Sequence, residues 1–227
     1  NVYVVIVKAL DAGDTNEDTQ TITITIIDLN DNAPVITSND GGDAASIDYD
    51  ENGTDAATTV TTTDADENGT ATATYSIVAA GDDAASLDAA LFTIDSGTGA
   101  LTFNTSPDFE IPVDSDTDNV YVVIVKALDA GDTNEDTQTI TITIIDLNDN
   151  DPVITSNDGG DTTSLNYAEN EVVEVTTVVA TDADANDTQA FSIGNDDSGL
   201  FAIDGSGVLT FSASPDYETP NSNASSN

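Results

Sequence analysis

The sequence predicts an all-β chain: tandem, seven-stranded, immunoglobulin-like Greek-key sandwiches in a linear array. Three observations predict it. Thr21 to Ile26 alternates Thr and Ile, the two-residue period of a strand with one buried face. Gly and Asp turn signals separate short β-branched runs, as at Asp95-Ser96-Gly97-Thr98-Gly99. A long internal repeat recurs with a period of 118 residues.

Taken in order, Val2 to Ala9 is a β-branched run long enough for a central strand. The Thr/Ile run after it places Ile22, Ile24 and Ile26 on a face expected to be buried. Further strands are expected at Pro34–Thr37 with Ser46–Tyr49, Ala56–Thr63, Ala71–Ile77, Leu91–Ile94 and Ala100–Phe103. Counted from Ala33 to Asn150, these and the second copy of the first two runs make about seven strands, the number in an immunoglobulin-like sandwich. No segment reads as a helix.

The repeat sets the organisation. Asn1 to Asn32 recurs without change at Asn119 to Asn150, and Pro34–Asp43 equals Pro152–Asp161. Beyond that, Tyr49-Asp50-Glu51-Asn52 matches Tyr167-Ala168-Glu169-Asn170, and Asp64-Ala65-Asp66 matches Asp182-Ala183-Asp184. Pro107-Asp108-Phe109-Glu110 matches Pro215-Asp216-Tyr217-Glu218. Residues 33–150 therefore read as one complete domain. Residues 1–32 read as the last two strands of a preceding one, and 151–227 as a domain lacking its last two. On this reading the chain is a window of a longer tandem array. The alternative is that neighbouring chains exchange these strands to build a filament.

Composition excludes much chemistry. Lys and Arg together number 2 and Asp and Glu 44, for a formal net charge of −42. Nothing basic is available to neutralise nucleic-acid phosphate or an anionic membrane surface. With no His, Cys, Met or Trp, triads built on His or Cys, thiolate zinc sites and disulfides are excluded. No apolar run approaches the roughly 18 residues of a membrane span, so no membrane insertion is expected of this segment. Nine Glu against 35 Asp suits turns and calcium loops better than a helical coat.

Three acidic groups recur in register. Asp28–Asn32 and Asp146–Asn150 read Asp-Leu-Asn-Asp-Asn at the domain ends. Asp64–Asp66 and Asp182–Asp184 read Asp-Ala-Asp after the second strand. Glu51 pairs with Asp108 and Glu110, and Glu169 with Asp216 and Glu218. Alternate loops of a sandwich gather at opposite ends, so each linker is expected to meet loops from two domains. Such a cluster repels itself unless a cation sits in it, and Ca²⁺, which takes 6–8 oxygen ligands, suits carboxylates mixed with amide and backbone oxygens. Mg²⁺, which keeps its water, suits them less.

These motifs resemble the cadherin repeat. Its linker signature Asp-x-Asn-Asp-Asn-x-Pro stands at Asp28–Pro34 and Asp146–Pro152. Its Glu-Asn, its Asp-x-Asp, its Leu-Asp-x-Glu (with Pro107 or Pro215 for Leu) and its Ala-x-Asp-x-Gly, at Ala127–Gly131 and Ala9–Gly13, are also present. The Asp/Thr-rich, Lys-poor style looks more like bacterial cadherin-like surface proteins than animal ones. The resemblance implies an extracellular, non-enzymatic adhesin stalk with about three Ca²⁺ at each junction. At the complete junction it assigns Glu51, Asp108 and Glu110 from the upper domain. Asp146, Leu147, Asn148, Asp149 and Asn150 come from the linker, and Asp182 and Asp184, with the Asn186 carbonyl, from the lower domain. The other junction takes Asp28, Asn30, Asp31, Asn32, Asp64, Asp66 and Asp129. A further one takes Glu169, Asp216 and Glu218. The implied partners are calcium and neighbouring copies of the repeat.

Other readings fit less well. A solvated acidic surface would not restore the same triplets in register. The EF-hand start at Asp64–Gly69 meets Tyr75 where a Glu is required, and its copy loses the Gly. Asp95-Ser96-Gly97, a possible aspartic-protease loop, becomes Asp204-Gly205-Ser206 in its copy, and a hairpin turn explains both. Asp108 and Glu110 as a glycosidase pair would need an aromatic-lined cleft, for which 5 % aromatic residues leave little. Asn-x-Ser/Thr at Asn52, Asn68, Asn104, Asn186 and Asn223 is near chance in so Asn- and Thr-rich a chain. Lys8 and Lys126, one repeat position, are expected to pair with a local carboxylate.

Overall fold

The computed structural model describes residues 1–13, 16–66, 73–129, 133–194 and 197–219. The chain divides into two compact units, Asn1–Ile145 and Asp146–Asn227. The strands of the first unit are β1 (Val2–Leu10), β2 (Glu17–Thr25), β3 (Val35–Ile36), β4 (Ala44–Asp50), β5 (Thr58–Thr59), β6 (Thr62–Thr63), β7 (Thr74–Val78), β8 (Phe92–Ile94), β9 (Ala100–Phe103), β10 (Val120–Leu128) and β11 (Glu135–Ile145). Those of the second are β12 (Val153–Ile154), β13 (Glu174–Thr177), β14 (Ala180–Thr181), β15 (Phe201–Ile203) and β16 (Val208–Phe211). Among the described residues the helical segments are three-residue 3₁₀ turns. Of the expected strand at Ala71–Ile77, Ala71 and Thr72 lie outside the described residues, and β7 is observed from Thr74.

In the first unit, one sheet has the order β4-β11-β10-β7, with β4 parallel to β11 and the other neighbours antiparallel. Strands β5-β9-β8 and the pair β3-β6 supply the other layer. The first and second strand positions are each broken in two, β3/β4 and β5/β6, so these nine segments fill seven strand positions. The two layers enclose one core of Ile36, Val60, Phe92 and Leu101 with Tyr121, Val123, Val125, Ile140, Ile142 and Ile144. Phe103 lies tilted against Phe92, ring centroids 4.4 Å apart, and meets Tyr121 edge to face at 5.2 Å. Full burial of each Val or Ile contributes about 1.5–3 kcal/mol.

The turn between β8 and β9 shows how tightly the layers close. Asp95 Oδ1 accepts from the backbone N–H groups of Gly97 (3.0 Å) and Thr98 (2.7 Å). Gly99 follows with φ +74°, and a Cβ on it would stand 2.2 Å from the Val60 carbonyl oxygen. Gly207, its repeat partner, has φ +80° and the same approach, 2.1 Å, to Val178. The protease-like tripeptide is thus a turn, as its copy implied.

The first hairpin departs from expectation. β1 pairs with β2 alone, and every residue of both strands is exposed. The face expected to be buried is open: Ile22, Ile24 and Ile26 are exposed, and β1 is not a central strand. The same sequence at β10–β11 is buried because β4 flanks β11 and β7 flanks β10 while the opposite layer covers the face. The period of a strand is written in its sequence; the neighbour that buries it is not.

The second unit repeats part of this scheme. β12-β14 corresponds to β3-β6, and β13-β16-β15 to β5-β9-β8. Phe201, Phe211 and Tyr167 rebuild the ring contacts of Phe92, Phe103 and Tyr49. Residues 162–168, which correspond to β4, form no ladder, nor do the described residues matching β7. Those segments pair with β11 and β10 in the first unit, and the described part of the second has no counterpart of either.

Candidate metal centres

The acidic motifs fold into the same local devices each time they occur. At the start of the first unit, the Asn32 backbone N–H and side-chain amide both donate to Asp66, at 2.9 and 2.6 Å. Asn30 Nδ2 donates to Asp129 Oδ2 at 2.6 Å. Asp64 Oδ1 accepts from the Asp66 N–H at 3.0 Å and curls the Asp-Ala-Asp loop under the linker. Asp66 and Asp129 are buried. Hydrogen bonds from the Asn32 side chain and backbone hold the Asp66 carboxyl below the usual carboxylate range. Asp28 and Asp31 are exposed.

The second unit repeats it. Asn150 donates to Asp184 from its backbone (3.1 Å) and side chain (2.9 Å), Asp184 N–H donates to Asp182 Oδ1 (3.1 Å), and Ala185 N–H to Asp146 Oδ2 (2.9 Å). Asp184 is also buried. Burial pushes its carboxyl up, but the Asn150 side-chain and backbone donors outweigh that and lower it. Leu147, Asn148 and Asp149 are exposed, and Asp149 Oδ1 accepts from Asn150 Nδ2 at 2.9 Å.

The third motif closes by a backbone bond. Phe109 N–H donates to Glu51 Oε2 at 2.8 Å, and Ile111 N–H to Asp108 Oδ1 at 3.0 Å. One oxygen from each of Glu51, Asp108 and Glu110 lies within 4.8 Å of the others. Glu169, Asp216 and Glu218 form the same group, with Tyr217 N–H on Glu169 Oε2 at 3.1 Å. Hydrogen bonds from Thr219 and Glu218 lower the Asp216 carboxyl. Glu51 is buried and Glu169 exposed. The end of β11 lies over the first, where the Glu51 N–H bonds the Ile145 carbonyl.

A hard cation fits these donors. Asp146 Oδ1 and Asp182 Oδ2 are buried and accept no hydrogen bond. A buried carboxylate oxygen without a partner carries a large desolvation cost that a bound cation removes. The protein has no cation of its own to offer. Lys8 and Lys126, the only two basic side chains, pair with Glu17 (3.2 Å) and Glu135 (3.1 Å) across their hairpins, as expected. The donor set is all oxygen, which selects Ca²⁺ or Mg²⁺ over softer metals.

Sequence reading missed one group. Asp114, Asp116 and Asp118, in the loop before β10, also bring one oxygen each within 4.8 Å of one another. The charge of Asp118 raises the Asp116 carboxyl above its ordinary range. The alternating Asp-x-Asp-x-Asp was there to be read. It has no aspartates at the matching positions of the second repeat (Ser222, Ala224, Ser226), so repetition does not mark it. Of the other sequence-level features, Ala130–Gly131, Glu67–Gly69, Asn68 and Asn223 lie outside the described residues.

Residues 38–145 match the family model described as the cadherin domain. Human protocadherin Fat 4 is 33 % identical over 142 residues, 60 % of this chain and 3 % of that protein. Pig protocadherin-11 X-linked is 33 % identical over 196 residues, 81 % of this chain and 16 % of that one. The chain therefore spans a small part of either relative. Among solved structures, the protocadherin gammaB7 EC3-6 cis-dimer matches 96 % of this chain with a TM-score of 0.70 at 22 % identity, over 53 % of its own length. Human CDH23 EC21-23 matches the same share at 0.66 and 23 %, over 66 % of its length. These relatives are animal proteins, not the bacterial adhesins that composition suggested. The match over 38–145 identifies that stretch as a cadherin domain, an extracellular, non-enzymatic kind of module, and the acidic motifs and the seven-position sandwich agree with it.

Proposed function

We propose that the chain is a calcium-stiffened segment of a surface stalk or filament. The observation that carries this is the pair of buried, unpartnered carboxylate oxygens on Asp146 and Asp182, in a chain whose two lysines are engaged elsewhere. On this reading Glu51, Asp108 and Glu110 are one half-site. Asp146, Leu147, Asn148, Asp149, Asn150, Asp182 and Asp184 are the other, and about three Ca²⁺ join them. Asp28, Asn30, Asp31, Asn32, Asp64, Asp66 and Asp129 form a second such half-site, and Glu169, Asp216 and Glu218 a third. The ions would supply positive charge where the chain has none, and the carboxylates and amides would hold them. The work done is mechanical: ion-bridged repeats stay extended, and stripped ones bend.

The same reading takes 33–150 as one repeat, 1–32 as the closing hairpin of a preceding repeat and 151–227 as a following repeat without one. The exposed apolar hairpin β1–β2, identical in sequence to the buried β10–β11, supports it. Its complement is a body like 151–219, on the same polypeptide in an array or on a neighbouring chain in a strand-exchanged filament. Small-angle scattering with Ca²⁺ and after chelation tests the mechanical reading. A shorter maximum dimension on chelation is expected, and an unchanged one overturns it. A denaturing gel of native material separates the two assemblies: very large species mark an array, and a single band of one 227-residue chain marks exchange.

A further inference from the structure

We propose that Asp114, Asp116 and Asp118 form a separate divalent-cation site that takes Ca²⁺. The loop Val113–Asn119 is pinned from outside. Ser115 N–H donates to the buried Asp88 at 2.9 Å, Val113 N–H to the Tyr121 hydroxyl at 3.3 Å, and Asn119 Nδ2 to the Phe109 carbonyl at 2.8 Å. Thr117 and Asn119 sit at φ +59° and +64°, which curls the loop so that alternate side chains converge.

Asp114 is 4 % exposed, the one deeply buried carboxylate of the three. Its Oδ2 accepts from the Asp118 N–H at 2.9 Å, while its Oδ1 is buried and accepts nothing. Asn119 Oδ1, one residue beyond the triplet, is likewise buried without a partner. A solvated acidic turn would turn its free oxygens to water; this one turns a charged oxygen inward. Oxygens within 4.8 Å of one another stand near the spacing of neighbouring ligands around one Ca²⁺, which holds its oxygens at about 2.3–2.6 Å. The group shares no carboxylate with Glu51, Asp108 and Glu110, although Asn119 holds the loop against that turn. It belongs to one unit, so it should fill whether or not the linker sites do.

Amide NMR of the ¹⁵N-labelled full chain titrated with Ca²⁺ tests this. The native chain should shift at residues 114–120, saturating at about 10⁻⁴–10⁻³ M as extracellular modules do. D116N/D118N, which changes exposed side chains only, should abolish those shifts and bind one Ca²⁺ fewer in equilibrium dialysis. Asp149→Ala should leave the shifts at 114–120 in place, which separates this site from the linker sites. If those amides do not respond in the native chain, or D116N/D118N keeps both the response and the ion count, the site does not exist.

Discussion

Ile24 and Ile142 occupy the same position of an identical 32-residue sequence, yet Ile142 is completely buried and Ile24 is 47 % exposed. Each faces a Tyr across its hairpin, Tyr3 and Tyr121. The difference is made entirely by what lies over them.

That pair defines the first expectation. Ile142→Ala should destabilise the first unit by about 2–5 kcal/mol, the range for a buried large-to-small change. Ile24→Ala in the same chain should cost less than about 0.5 kcal/mol, as exposed substitutions do. Urea unfolding followed by tyrosine fluorescence gives both numbers. When the complement of β1–β2 is supplied, the two costs should converge.

A second expectation concerns the linker. Asp149→Ala and Asp151→Ala each remove one charge, so a diffuse surface-charge effect would weaken Ca²⁺ binding equally. The proposed ligand set predicts a larger loss for Asp149→Ala, about tenfold, the equivalent of about 1.4 kcal/mol. Calorimetric titration with Ca²⁺ measures it, and equal affinities would remove Asp149 from the set.

Acid should act on the β8–β9 turn. The Thr98 backbone N–H, then the Thr98 hydroxyl and the Gly97 N–H, hold the Asp95 carboxyl below its ordinary 3.8. The folded state therefore binds that proton less readily than the unfolded chain. The stabilisation is complete above about pH 4 and is lost as pH falls through the lowered folded value. Asp95→Asn should flatten this part of the acid profile in circular dichroism, and an unaltered profile would show that the turn carries no linkage.

Backbone approach fixes another residue. Gly99→Ala places a Cβ 2.2 Å from the Val60 carbonyl oxygen at φ +74°, and should cost at least about 1–3 kcal/mol. Gly97→Ala, whose Cβ meets nothing closer than Asp95 at 3.7 Å, should be nearly neutral in the same denaturation assay.

What the sequence displayed and what it hid divide along physical lines. The Thr/Ile alternation specified which residues of β11 share a face, because a strand's period is local. The burial of Ile142 and the exposure of Ile24 could not be read, because burial belongs to the partner. Residues 162–168 show the same from the other side: they match the β4 segment but have no ladder to join. The Asp-x-Asn-Asp-Asn and Asp-x-Asp motifs were legible because repetition marked them, and the structure draws Asn32 to Asp66 and Asn150 to Asp184 as their order suggested. Asp114 stood outside that signal. Its significance lies in one buried oxygen with no donor, which only a folded loop reveals.

The parallel pairing of β4 with β11 has a mechanical consequence. Seven residue pairs, from Ala44 with Thr139 to Asp50 with Ile145, join a strand near the beginning of the domain to the one that ends it. Tension drawn through the chain pulls these two strands along their lengths in opposite directions. Their hydrogen bonds are then sheared together instead of being unzipped one at a time. The domain should yield at a high threshold and abruptly, while the β1–β2 hairpin, whose two ends lie side by side at Val2 and Thr25, opens one pair at a time.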